Sequence, residues 1–105
     1  MKVRKTKDII KVLKKKGFII YPQKDHHQFY YLSLNGIKYP IYTYFSNGIS
    51  EYGDSLMLEV KKQLKFNKTQ DAENFFDCSM SKEGYIRMLT DNCIITPENN
   101  TESVN

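Results

Sequence analysis

The stretch HQFYYLSLNGIKYPIYTYF, residues 27–45, decides the fold. Asn35-Gly36 lies between two runs rich in aromatic and β-branched residues. A two-residue hairpin turn needs positive φ at both central positions, which Asn-Gly supplies at least cost. Residues 27–34 and 37–45 therefore read as two antiparallel strands. In the second, Ile37, Tyr39, Ile41, Thr43 and Phe45 alternate as the core face, leaving Lys38, Pro40, Tyr42 and Tyr44 outside. Pro40 has no N–H to donate, so this strand is expected at a sheet edge or bulged at that point.

Upstream, Ile9, Ile10, Val12 and Leu13 in TKDIIKVLKKK (6–16) recur at helical spacing. Thr6 is placed to cap this helix, lysines fill its last turn, and Gly17 stands where a left-handed terminating residue belongs. Phe18 to Tyr21, closed by Pro22, reads as a short edge or terminal strand. Downstream, Ser46-Asn47-Gly48 breaks the chain, and Leu56, Met57, Val60 and Leu64 mark a second helix over residues 54–64. Asn67 to Gln70 resembles a capping box ahead of Ala72, Phe75 and Phe76, and Ser81 can cap a last helix presenting Tyr85, Ile86, Met88 and Leu89. The C-terminal third thus reads as a helical hairpin that packs on helix two or forms a homodimer contact. From Asp91 onward the sequence is polar and is expected to fray.

A length of 105 residues suits one core, which at this size buries roughly 60–70% of the unfolded chain's surface. The share of hydrophobic residues is 40% and that of aromatics 13%, which fits a globular chain and excludes a disordered one. No run approaches the roughly 20 apolar residues that cross a bilayer, and MKVRKTKD lacks the apolar stretch of a secretory signal. The expectation is a cytoplasmic protein without membrane association. Cys78 and Cys93 have no metal-type spacing and are expected as free thiols.

Charge is distributed unevenly. Residues 1–24 hold nine Lys or Arg against the single acid Asp8, whereas residues 71–105 hold seven acids against Lys82 and Arg87. A basic head attracts phosphate backbones through counterion release. Lysines on a small helix can equally be a solvated face.

The adjacent His26 and His27, preceded by Asp25, admit three readings: a catalytic pair, metal ligands, or the polar start of a strand. The metal reading is the weakest, because consecutive strand residues point to opposite faces and no fourth ligand is suitably spaced. No cofactor is expected.

The order helix, strand, strand, strand, helix is the outline of the double-stranded-RNA-binding domain, an α+β arrangement with both helices on one face of a three-stranded antiparallel sheet. Over KDIIKVLKKKGFIIYPQKDHHQFYYL, residues 7–32, the chain also resembles the HicA toxin family, and the likeness continues through the hairpin and second helix to about Phe66. The division implied is a HicA-like domain over 1–66, a helical extension over 67–90 packed on it, and a flexible tail over 91–105. The resemblance implies a metal-independent ribonuclease that cuts mRNA and is silenced by a HicB-like antitoxin.

The family's catalytic histidine corresponds to His26, three residues before Phe29; His27 falls at a more variable position, as an RNA contact or substitute base. Lys24-Asp25 stands where the family usually has Gly-Ser, and Ser46-Asn47-Gly48 stands where it often has a second histidine. Cleavage next to a 2′-hydroxyl needs a base, an acid and cations for the charge developing on phosphorus. Histidine suits the acid–base role, since its ordinary pKa of about 6.5 keeps both protonation states accessible near neutrality. Lys5, Lys7, Lys14, Lys15, Lys16 and Lys24 are the candidates for phosphate contact, and Tyr30, Tyr42 and Tyr44 for stacking on unpaired bases. A non-catalytic module on the same fold, binding RNA or a protein, is the alternative.

Overall fold

The computed structural model describes residues 1–21 and 27–96. Its elements in chain order are β1 (Arg4–Lys5), α1 (Thr6–Lys15), β2 (Phe18–Tyr21), β3 (His27–Leu34), β4 (Ile37–Ser46), β5 (Glu51–Tyr52), α2 (Asp54–Gln63), α3 (Thr69–Phe76) and α4 (Lys82–Asp91). Strands β2, β3 and β4 form an antiparallel sheet in that spatial order, and β1 pairs with β5 in a separate two-stranded ribbon. The fold is α+β, with the helices packed on one face of the larger sheet.

The hairpin forms as its Asn-Gly turn requires: φ is +53° at Asn35 and +81° at Gly36. Pairing runs from His27↔Ser46 to Tyr31↔Tyr42, then shifts so that Ser33 faces Lys38. Three residues of β4, including Pro40, therefore oppose Leu32 alone. The bulge absorbs the missing proline N–H, and β4 lies at the sheet edge, as expected. Ile41, Thr43 and Phe45 are buried as the alternation demands, whereas Ile37, expected on the core face, is 43% exposed at the hairpin tip.

The inner face of the sheet, through Phe18, Tyr30, Leu32, Ile41 and Phe45, joins Ile9 and Leu13 of α1 and Met57 and Val60 of α2 in one core. The C-terminal hairpin belongs to that same core. Phe75 lies 5.4 Å from Phe66, 4.9 Å from Tyr85 and 6.5 Å from Phe18, centroid to centroid, and the Tyr85 hydroxyl donates to the Leu64 carbonyl at 2.8 Å. Burial pushes that hydroxyl's pKa up. Phe75, Phe76, Tyr85 and Leu89 are all buried within the chain, so no second copy is needed to cover them. Ile95 is buried too, which corrects the expectation of fraying as far as Thr96; residues 97–105 lie outside the described part.

Two expected caps are replaced. Lys5, extended by its pairing with Glu51, occupies the N-cap of α1, while the Thr6 hydroxyl donates to the Ile49 carbonyl at 2.7 Å. Helix α3 starts at Thr69 after Lys68, without a side-chain cap, and Gln70 donates to Asn74 instead of closing a capping box. Ser81 caps α4 as expected, accepting from the Gly84 N–H at 3.0 Å.

Gly17 ends α1 with φ of +99°, as its position in the sequence implies. The other three helices end in left-handed residues that are not glycine: Lys65, Cys78 and Cys93, with φ of +70°, +64° and +59°. Each is flanked by the paired backbone bonds of a left-handed cap, as in Phe66 N–H to Lys61 C=O and Lys65 N–H to Lys62 C=O, both 3.0 Å. A left-handed non-glycine residue costs roughly 1–2 kcal/mol, partly offset by glycine's greater freedom when unfolded. Lys65→Gly should therefore raise stability by about 0.5–1 kcal/mol, read as a higher denaturant midpoint at unchanged slope.

Candidate nucleic-acid interface

Strand alternation gives the sheet a second face that the helices do not cover. From β3, His27, Phe29 and Tyr31 point to it, while Tyr30 and Leu32 point into the core. Tyr42 and Tyr44 reach it from β4, and Ile19 and Tyr21 from β2. The register lines these residues up across the strands: Tyr21, Phe29 and Tyr44 form one row, and Ile19, Tyr31 and Tyr42 the next.

The rings touch along and across the rows. Centroids of Phe29 and Tyr44 are 5.1 Å apart with planes 24° from parallel, and those of Tyr31 and Tyr42 are 4.8 Å apart at 25°. Tyr21 meets Tyr31 edge to face at 5.2 Å. Tyr42 and Tyr44 are each 38% exposed. The Lys38 ammonium lies 4.1 Å from the Tyr31 centroid and 4.4 Å from that of Tyr21, within cation–π range.

His27 closes the face at the start of β3. Its ring is 5.3 Å from that of Tyr44 and 6.4 Å from that of Phe29, and Ser46 is its partner across the ladder. Beside it, where β4 meets α2, His27, Tyr44, Ser46, Glu59 and Gln63 help line a groove of about 240 Å³. Two polar contacts fix the groove's wall: the Thr43 hydroxyl donates to Gln63 at 2.5 Å, and the Tyr52 hydroxyl donates to the Tyr44 carbonyl at 3.3 Å. Burial, with a smaller contribution from Tyr44, pushes the Tyr52 hydroxyl's pKa up.

The structure separates the other candidate residues. Lys5, Lys7, Lys14 and Lys15 are exposed, but α1 packs on the inner face, so they lie on the opposite side of the sheet from Tyr42 and Tyr44. Lys5 and Lys7 border an open hollow with Thr6, Ile10, Ser50 and Glu51. Two candidates are withdrawn from solvent. Lys16 is 5% exposed, and its ammonium donates to the Met80 carbonyl beside the Phe75 ring. Tyr30 is 3% exposed, packed against Phe45 at 5.8 Å, and burial pushes its pKa up. Neither can reach RNA without unpacking the core.

Lys24, Asp25 and His26 lie outside the described residues. Residue-type reading missed Tyr21, Phe29, Tyr31 and Lys38. The alternation that starts from His27 places Phe29 and Tyr31 outward and Tyr30 inward, so the signal was present in the hairpin pattern.

Among the described residues no three His, Cys, Asp or Glu side chains are grouped as metal ligands, and no helix is long and apolar enough to cross a membrane. Cys78 and Cys93 are exposed free thiols. Comparison with protein-family models, with curated proteins and with solved structures finds no match to this chain.

Proposed function

We propose that the protein is a HicA-like toxin, a metal-independent ribonuclease that cuts mRNA and is held inactive by a HicB-like antitoxin. The observation that carries this reading is the position of His27, at the open end of an aromatic sheet face and beside a groove. RNA laid on that face passes His27, the residue that follows His26 in the sequence. Within the longer element order, α1, β2–β4 and α2 follow the helix, three strands, helix outline that the family resemblance implies, with the β1–β5 ribbon, α3 and α4 added to it.

In this scheme His26 moves the proton to or from the reacting oxygens and His27 contacts the substrate. Exposed lysines of the basic head contribute long-range attraction for phosphate. General acid–base catalysis of this kind contributes about 10²–10⁴-fold. In EDTA, His26→Ala should therefore slow cleavage of a labelled single-stranded RNA by at least about 100-fold, and His27→Ala by less. Undiminished cleavage by His26→Ala would sink the proposal.

One observation favours a second reading, a non-catalytic RNA- or protein-binding module. Opposite His27 the strand end supplies Ser46, followed by Asn47 and Gly48, so no second imidazole stands there to serve as the complementary acid. Intact RNA after long incubation with the unmodified protein would decide for that module.

A further inference from the structure

We infer that the outer face of the three-stranded sheet is a stacking platform for two or three consecutive unpaired bases, so that the ligand is single-stranded RNA and not duplex. The inference rests on the proposed RNA substrate but not on cleavage. It departs from what the helix–sheet outline alone suggests, since that outline is shared with a duplex-binding domain.

The argument starts from what the face lacks. Strands β2, β3 and β4 contain no Asp or Glu; apart from tyrosine, their ionisable residues are Lys38 and His27. The strands therefore bring no carboxylate to the rings, the nearest acid named at the site being Glu59 of α2 in the groove beside His27, and Lys38 and His27 stand at opposite ends. Lys38 lies near the hairpin tip over Tyr21 and Tyr31, and His27 lies beside Tyr44 at the far end of β3. A strand running along β3 meets a cation, then rings, then an imidazole.

Aromatic content supplies the second part. The two rows put Tyr21, Phe29 and Tyr44 beside Tyr31 and Tyr42, with Ile19 completing the second row. Sheet register holds all five rings, with Tyr42 and Tyr44 exposed and Tyr21, Phe29 and Tyr31 half-buried beside them, so the ordering cost of this surface was met on folding. Every base has a π-face, and base–aromatic stacking tolerates any sequence. Paired bases are already stacked on each other and cannot lie on the rings, which is why the geometry selects unpaired RNA. The lysines of α1, on the other side of the sheet, add attraction at a distance without touching the stacked bases.

The test uses the full chain and a fluorescent 2′-O-methyl RNA octamer, unpaired or in a duplex of equal length. This analogue has no free 2′-hydroxyl, so binding is read whether or not the protein cleaves RNA. Fluorescence anisotropy at low salt should show the unpaired octamer bound at least about 10-fold more tightly than the duplex. Tyr42→Ala and Tyr44→Ala should each weaken it by roughly 5- to 100-fold, the range of single stacking contacts. Tyr42→Phe should bind like the unmodified protein, and Lys14→Ala should change affinity only a few-fold. Both rings are 38% exposed, so their removal leaves the core intact, and an unchanged melting temperature verifies it.

Three results would overturn the inference. The first is preference for the duplex. The second is unchanged octamer affinity in both tyrosine variants. The third is a dimer in sedimentation that Tyr42→Ala dissociates without affecting RNA binding, which would make the face a contact between copies. Octamer binding that follows the expected pattern, alongside intact natural RNA, would uphold the platform and reject the ribonuclease.

Discussion

Phe75→Ala should cost about 3–5 kcal/mol, the range for deleting a buried phenyl group, and ending the chain at Phe66 should abolish cooperative folding. A domain of this size has about 5–15 kcal/mol in total, so the single substitution removes a large share of its stability. Phe75 is fully buried, and its ring contacts Phe18 behind the sheet, Phe66 after α2, Phe76, and Tyr85 in α4. The Lys16 ammonium also lies 5.7 Å from its centroid. Strand β2, helices α3 and α4 and the segment that follows α2 meet at this one ring.

Truncation removes more. It uncovers Phe18, Leu64 and Phe66, leaves the Leu64 carbonyl without the Tyr85 hydroxyl, and strips Lys16 of its acceptor on Met80. The helical hairpin is thus a wall of the core. Thermal melts and far-ultraviolet circular dichroism of the two forms would check both expectations; a cooperative transition in residues 1–66 at the full chain's midpoint would contradict them.

This dependence explains which parts of the fold could be read from sequence. Helices α1, α2 and α4 and the β3–β4 hairpin announced themselves because their signals are local: apolar spacing, Gly17, Ser81 and Asn35-Gly36 each act within a few residues. Strands β1 and β5 were not legible, because two-residue strands have no periodicity and Arg4↔Tyr52 pairing joins distant parts of the chain. Lys16 shows a different limit. Its burial comes from α3 and α4 closing over the end of α1, which no pattern around residue 16 encodes.

The candidate site divides along the same line. His27, Tyr42 and Tyr44 were readable from the alternation of each strand. Their assembly with Tyr21 and Lys38 needed the register of three strands and the bulge at Pro40. Tyr30 lies in the core because its strand parity, which residue type does not show, turns it inward. Asn67 failed as a cap because α3 begins two residues later, at Thr69.

The uneven charge has its own consequence. Arg4→Ala should destabilise the fold by about 3 kcal/mol at neutral pH, toward the low end for breaking a buried ion pair. The Arg4 guanidinium donates to Glu73 at 2.7 Å and pairs with Asp77 at 3.0 Å, joining the basic head to α3 in the acidic third. It also lies 5.6 Å from the Phe76 centroid, so its loss removes packing as well as charge. Solvent at Asp77, whose side chain is 39% exposed, screens part of the interaction. The effect should centre on Glu73, whose carboxylate would remain largely enclosed without its cation.

Acid supplies the discriminating measurement. Burial pushes Glu73 up, but hydrogen bonds from Arg4 and the Lys2 backbone, with the nearby positive charges, outweigh it and hold its pKa below the usual carboxylate value. The hydrogen bond from Arg4 is the main cause of the lowering at Asp77. Both groups therefore bind protons more readily in the unfolded chain. Their contribution is present above the ordinary carboxylate pKa of about 4 and is lost as pH falls through the lower folded values. Removing Arg4 reduces that difference, leaving only the contributions of Lys2 and the N-terminus, so the variant's deficit should be largest at pH 7 and shrink below about pH 4. Urea titrations of both proteins between these limits would show it. A deficit independent of pH would assign the role of Arg4 to packing against Phe76 alone.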